Sequence, residues 1–154
     1  RVLFARTSLG SDYDYTEHGI DLRGYLAANE KTVLAAQLAT TWQVGAPPFF
    51  ALPRLGGQDG LRGYPGGRYL DAASAFARVE WRRQRLWGRL GAAVFAGIGD
   101  VAPRFADLTL ARGLWTAGAG LRFVLNEQER VNLRLDIGAG RDNGGFFLTL
   151  GEAF

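Results

Sequence analysis

The chain has 154 residues and a mass of 16.8 kDa, the length of a single domain, and 47% of its residues are hydrophobic. It contains no cysteine, which excludes a disulfide, a thiolate zinc site and a cysteine nucleophile. Its net charge of +3 combines 18 basic with 15 acidic residues and forms no basic cluster interleaved with stacking aromatics, so we expect no nucleic-acid partner. A membrane-crossing helix needs about 18 or more consecutive apolar residues, and no such run is present.

Eight segments instead carry the pattern of β-strands, separated by connections of unequal length. The strands are predicted at about 1–9, 18–28, 31–44, 72–83, 86–99, 115–126, 130–141 and 144–154. Tight polar turns are expected at 28–31, 83–85 and 126–129, and longer loops at 10–17, 45–71 and 100–114. The last connection, 141–144, is a short hairpin turn with the favoured Asn-Gly pair. Short turns at one end and long loops at the other are typical of bacterial outer-membrane barrels.

Apolar and polar side chains alternate along these segments, as in strands with two different faces. Leu135 and Ile137 alternate with Arg134 and Asp136, and the same alternation runs through the other strands after the first, where the faces are unclear. Charges beside glycines would make a poor hydrophobic core. We therefore predict that the apolar face, including Leu135, Leu148 and Trp81, meets lipid and that Glu80 and Asp136 are enclosed. Trp42, Trp81 and Trp115 lie near strand ends on the apolar face, where an interfacial aromatic girdle is expected.

The long loop at 45–71 contains the sequence Leu61-Arg62-Gly63-Tyr64, followed by Gly67-Arg68-Tyr69. With its flanking strands it resembles the inward-folding loop of the outer-membrane assembly and secretion barrels, the superfamily of BamA, TamA and the two-partner secretion transporters. The resemblance extends through 77–81, 94–101, 133–140 and 145–154, and so covers most of the chain after residue 31.

The resemblance implies that Arg62 is anchored by acidic side chains on the inner wall. Glu80 matches one anchor position, the usual acid of the neighbouring strand is replaced by Gly97, and Asp136 faces the same interior. An arginine shielded from bulk water also needs a carboxylate partner on physical grounds. The alternative is that Arg62 is an ordinary surface-loop arginine and that Glu80 pairs with Arg78 or Arg82.

The final strand resembles the C-terminal recognition signal of outer-membrane barrels, with a terminal aromatic and alternate apolar positions before it. The residues that carry this signal are Phe146, Leu148, Leu150 and Phe154.

Catalytic, metal and cofactor sites find little support in the sequence. There is no G-x-S-x-G motif, and the serines have no base at a plausible spacing. The single His18 is interpreted as a rim residue, and the acidic stretch with Asp12, Asp14 and Glu17 as a solvated loop. The segment 56–60 has neither the lysine nor the following helix of a phosphate-binding loop. We expect no enzyme activity, cofactor or metal.

The superfamily barrel has sixteen strands, of which this chain would supply the C-terminal eight, as one domain over 1–154 and a portion of a longer parent. An eight-stranded barrel has an interior just wide enough for its own side chains, so the long loop cannot readily enter it. Three arrangements remain open: a closed eight-stranded barrel with the loop displaced above the rim, two copies sharing a sixteen-stranded wall, or a fragment completed by its missing half. The expected fold is the first, an all-β, transmembrane, antiparallel up-and-down barrel.

The function implied by the resemblance is an outer-membrane barrel module that inserts client barrels or translocates polypeptides. Its expected partners are lipopolysaccharide or phospholipid of the bacterial outer membrane, client polypeptides, periplasmic domains of the parent and a second copy in a homodimer. One alternative is a membrane-anchor barrel of a patatin-like phospholipase or surface protein, without activity of its own. Another is a soluble ligand-binding barrel.

Overall fold

The computed structural model describes residues 1–109, 113–126 and 131–151, and its strands form one antiparallel sheet in chain order. The strands are β1 (Val2–Ala5), β2 (Tyr15–Asn29), β3 (Thr32–Gly45), β4 (Ala73–Trp87), β5 (Leu90–Ala102), β6 (Leu114–Asn126), β7 (Val131–Gly140) and β8 (Asn143–Leu150). Three single-turn 3₁₀ helices lie in the long loops, at Thr7–Leu9, Phe49–Ala51 and Phe105–Asp107. None of the described segments is a helix long and apolar enough to cross a membrane.

The sheet is open, so the expectation of a closed eight-stranded barrel is wrong. β1 pairs with β2 and β8 pairs with β7, and no pairing joins β1 to β8 within the described residues. β1 is only four residues long because the chain leaves it for the 3₁₀ turn at Thr7–Leu9. The sheet must nevertheless curve strongly. β4 and β7 are three strand spacings apart, about 14 Å in a flat sheet, yet Arg62 contacts carboxylates on both strands.

The two faces of the sheet have the polarity predicted from the alternation. On one face the apolar side chains are exposed, for example Ile137 at 65% and Leu148 at 59%. On the opposite face Glu80 and Asp136 are completely buried and Arg134 is 2% exposed. The apolar residues therefore point away from the interior, and the charged residues line it.

Two hairpin turns differ from the prediction. β4 continues through 83–85, where Arg85 adopts a φ of 52° at an irregularity in the pairing, and the turn falls at Gly88-Arg89, between Trp87 and Leu90. Gly88 takes the positive φ that such a two-residue turn requires. The last hairpin turns at 141–142, with Asp142 at a φ of 58°, rather than at the Asn-Gly pair that follows. The predicted turn at 126–129 lies largely outside the described residues.

A candidate functional site where the long loop is anchored

The connection between β3 and β4 folds onto the charged face of the sheet and is not displaced above the rim, which corrects that expectation. Its own backbone holds it in a compact shape: the Leu55 amide donates to the Tyr69 carbonyl at 3.0 Å, and the Leu61 amide donates to the Leu55 carbonyl at 2.8 Å. Leu55, Leu61 and Tyr64 are buried together, with Leu114 of β6 in the same cluster. The loop therefore supplies much of the interior packing that the sheet lacks.

Arg62 lies at the centre of the contact between loop and wall, and its side chain is 1% exposed. Its Nη1 donates to Asp136 Oδ2 at 2.7 Å, and its Nη2 donates to Glu80 Oε2. The guanidinium carbon lies 3.5 Å from the centroid of the Phe95 ring, a close cation–π contact. Arg62 is not the surface-loop arginine of the alternative, because its side chain is buried between two carboxylates and an aromatic ring. The pairing of Glu80 with Arg82, which the alternative also included, is present beside the Arg62 contact.

Three arginines on the charged face of the sheet also contact Glu80, Asp136 or both. Arg82 Nε donates to Glu80 Oε1 at 2.9 Å. Arg122 joins both acids, with its Nη1 2.5 Å from Asp136 and its Nη2 3.0 Å from Glu80. Arg134 Nε lies 3.0 Å from Asp136 Oδ2, close enough for an ion pair although its geometry does not make a hydrogen bond.

This ionic cluster therefore contains, among the described residues, four guanidinium groups around two carboxylates. Positive charges exceed negative charges by two, and each acid is shared by three arginines. Both acids are consequently more important to the cluster than any single arginine.

Glycines in the wall give the loop backbone the room to approach. A Cβ atom on Gly138 would lie 2.7 Å from the Arg62 carbonyl oxygen, and a Cβ on Gly97 would lie 2.9 Å from the Leu61 side chain. Gly63 itself has a φ of 118° and packs against the backbone of Ala139. Gly97, where an acid was expected from the resemblance, is thus a contact surface for the loop in this chain.

Tyr64 fixes the loop on the other side of Gly63. Its hydroxyl donates to the Trp115 carbonyl at 2.8 Å and accepts from the Arg141 amide at 2.8 Å, so it connects β6 to the β7–β8 turn. Arg68 adds an exposed hydrogen bond of 2.6 Å to Asn143. Each residue of the Arg62-Gly63-Tyr64 sequence is therefore in contact with the wall.

A further contact, which sequence reasoning missed, is made by Arg78 on β4. Its Nε donates to Gln37 of β3 at 2.7 Å, and its Nη1 donates to the Gly60 carbonyl at 3.0 Å. The inward position of Arg78 was visible in the alternation, but its partner is a backbone carbonyl in the loop. No side-chain pattern could indicate that partner.

The other predicted residues fall in three places. Trp42 and Trp115 lie at the long-loop end, and Trp81 lies towards the short-turn end. Trp42 stacks on His18 at a centroid distance of 5.0 Å and contacts the tilted ring of Phe105 at 4.9 Å. Phe146, Leu148 and Leu150 are exposed on the apolar face of β8. Phe154 lies outside the described residues.

The acidic stretch before β2 is used for local structure. Asp14 accepts hydrogen bonds from the amide of Thr7 at 2.9 Å and from its hydroxyl at 3.1 Å, and these bonds lower the pKa of the Asp14 carboxyl. In the part of the chain that the structure describes, no group of three or more histidines and acids is placed to hold a metal ion.

A scan against protein-family models and a search of curated proteins both found no match to this chain.

Proposed function

We propose that this chain forms part of the wall of a bacterial outer-membrane barrel that assembles or translocates polypeptides, with the loop between β3 and β4 as an internal strut. The observation that carries the proposal is the inverted polarity of the sheet. Aliphatic side chains are exposed across the whole outer face, while two acids and several arginines are buried on the inner face.

The outer face is far more apolar than a water-exposed surface normally is. Soluble monomers rarely expose contiguous apolar patches larger than a few hundred Å². Here aliphatic and aromatic residues that are between 39% and 68% exposed continue from β2 to β8. The outer-face residues are Ile20, Leu22, Leu26, Leu38, Val79, Trp81, Val94, Trp115, Leu121, Phe123, Leu125, Ile137, Phe146, Leu148 and Leu150. Hydrocarbon is the environment in which such a surface is stable.

The spacing of two tryptophans fits the thickness of a membrane. Trp81 is paired with Leu34, so it is eight residues from Trp42 along β3. Eight residues extend about 26 Å along a strand, or about 20 Å across a bilayer at a tilt of about 40°. That value is close to the apolar band of about 25 Å seen in outer-membrane barrels.

The open edges argue for a wall that continues beyond these eight strands. β1 and the residue before it cover β2 only from Tyr15 to Gly19, so the edge from Ile20 to Asn29 and the edge of β8 have no partner strand among the described residues. An unpaired backbone group in hydrocarbon costs several kcal/mol. Further strands, from the same polypeptide or from a second copy, would pair with these edges.

The inner face near β2 supports passage or handling of a polypeptide. The loop packs against the β4–β7 side, and next to it remains a polar cavity of about 810 Å³ lined by side chains that include Asp21, Arg23, Gln37 and Arg78. A lining of mixed charges and amides suits polypeptides of varied sequence better than one particular small ligand. The loop sequence, which resembles that of the assembly and secretion barrels, points to the same function.

The first test is membrane integration. We expect the chain to fold into lipid vesicles as a protease-resistant species whose gel migration changes on heating, and to fractionate with the outer membrane in a bacterial host. Folding as a soluble monomer without lipid or detergent would refute the proposal.

The second test is activity. Vesicles containing the protein, with any further strands or domains of its parent, should fold an added outer-membrane client faster than empty vesicles do, or should pass a polypeptide. Arg62→Met should reduce that rate more than Arg54→Gln, an exposed loop substitution. If integrated protein and empty vesicles behave alike, the chain is an anchor and the proposal of an assembly or translocation function fails.

A further inference from the structure

The hairpin between β4 and β5 concentrates positive charge at the short-turn end of the sheet. The stretch 81–89 contains four arginines together with Trp81 and Trp87, so the expectation that basic and aromatic residues nowhere cluster is wrong. Arg83, Arg85 and Arg89 are all exposed, and the sequence from 81 to 99 contains no aspartate or glutamate. Of the two neighbouring short connections, the β2–β3 turn has Glu30 beside Lys31 and adds no net charge, and the sequence between β6 and β7 has Glu127 and Glu129 beside Arg130 and adds a net charge of −1.

The same hairpin exposes large apolar side chains. Trp87 is 83% exposed and Leu86 is 51% exposed at the tip. Pairing places Trp87 opposite Leu90 and Leu90 opposite Phe123, which belongs to the outer face of β6. Trp81 lies on the outer face of the same strand, two residues before Arg83. The apolar outer face therefore continues to the tip of this hairpin, where it meets the exposed arginines.

Tryptophan and arginine side chains at the edge of an apolar surface are suited to the boundary between the hydrocarbon core and the lipid headgroups. Indole rings favour that boundary because one side is apolar and the N–H is polar. Guanidinium groups bind phosphate through two parallel hydrogen bonds, and their aliphatic stems can lie along apolar surface. A water-facing turn would gain nothing from a tryptophan as exposed as Trp87.

We propose that Trp81, Arg83, Trp87 and Arg89 form a binding patch for the phosphate groups of anionic phospholipid at the short-turn side of the membrane. This inference rests on the proposed membrane location and names the lipid chemistry that the location would involve. The patch favours lipid over an acidic protein partner because it is continuous with the outer apolar face through Trp81 and Phe123.

The test compares the full chain with two double variants of equal charge. Arg83→Gln with Arg89→Gln alters the patch, and Arg54→Gln with Arg141→Gln removes two exposed arginines from loops at the opposite end of the strands. Each protein is folded into phosphatidylcholine vesicles with and without phosphatidylglycerol, and the equilibrium between folded and unfolded protein is measured in urea. A juxtamembrane arginine at an anionic surface contributes about a fivefold change in such an equilibrium.

We expect phosphatidylglycerol to shift the folding equilibrium of the unaltered chain and of the control variant towards the folded state. In the patch variant this shift should be smaller by a factor of about 25. Quenching by brominated lipid should also fall when Trp87→Phe removes a tryptophan at headgroup depth. An equal phosphatidylglycerol effect in the two double variants would overturn the inference while leaving membrane integration intact. Binding of polyglutamate that depends on the patch, without any phospholipid effect, would assign the patch to a protein partner and overturn it too. Failure of every protein to enter vesicles would overturn both this inference and the proposed function.

Discussion

The charge imbalance in the ionic cluster predicts that losing an acid costs more than losing the loop arginine. Glu80 accepts hydrogen bonds from Arg62, Arg82 and Arg122 and has no exposure to solvent. Glu80→Gln would leave the four arginines with Asp136 as the remaining carboxylate of the cluster. Breaking a buried ion pair by removing one partner costs about 3–5 kcal/mol, and we expect the free energy of unfolding to fall by an amount in that range.

Arg62→Met should cost less, because both acids keep other arginines and the excess positive charge decreases. The losses are hydrogen bonds to charged groups, each about 1.5–3 kcal/mol, and the contact with the Phe95 ring. Relief of repulsion from the other arginines offsets part of these losses, so we expect a net cost of about 1–3 kcal/mol. The loop should nevertheless detach, because Arg62 is its central contact.

The assay is urea unfolding in vesicles, followed by tryptophan fluorescence, together with limited proteolysis of the loop between β3 and β4. We expect Glu80→Gln to lower both global stability and loop protection, and Arg62→Met to lower mainly loop protection. The double variant with Glu80→Gln and Arg62→Met should lose less unfolding free energy than the two single variants lose together. If Arg62→Met reduces global stability as much as Glu80→Gln does, the charge argument is wrong.

Three further substitutions test the packing and the orientation of the sheet. Gly138→Ala should cost about 1–3 kcal/mol and expose the loop to protease, because its Cβ would meet the Arg62 backbone, whereas Gly24→Ala, with open space around its Cβ, should be tolerated. Tyr64→Phe should cost about 1–3 kcal/mol in the same urea titration, since a backbone donor and a backbone acceptor lose their partner. Leu148→Arg should cost about 2–4 kcal/mol in vesicles, and a neutral effect there would mean that the outer face does not meet hydrocarbon.

The sequence was sufficient to predict the strands from β2 to β8 and their faces, but the first strand, predicted at about 1–9, is only Val2–Ala5. The reason is that alternation is a local property. Successive side chains of a strand point to opposite faces, so the outward Leu135 and Ile137 indicate that Asp136 points inward. The pairing of Arg62 with Glu80 could also be anticipated, from the loop motif and from the need of a buried arginine for a carboxylate. Turn positions were less predictable, because the non-glycine residues Arg85 and Asp142 adopt positive φ values that composition does not indicate.

Closure of the sheet could not be predicted, because it depends on the space that the interior must hold. An eight-stranded barrel has no room for the long loop, and the open sheet agrees with that limit. The prediction that the loop lies above the rim is wrong, because the loop occupies the interior and the sheet stays open. In the structure the loop side chains occupy the interior, and the strand edges remain apart.

This relation between loop and curvature gives a last prediction. Leu55, Leu61, Arg62 and Tyr64 fill the space between β4 and β7, so the loop sets how tightly the sheet can curve. Replacing 50–70 by a short Gly-Ser linker should let the edges at β1 and β8 approach one another. Spin labels placed on β1 and β8 should then show a shorter and broader distance distribution by pulsed electron paramagnetic resonance than in the intact chain. An unchanged distance would mean that the strands alone determine the curvature, and that the loop occupies the interior without supporting it.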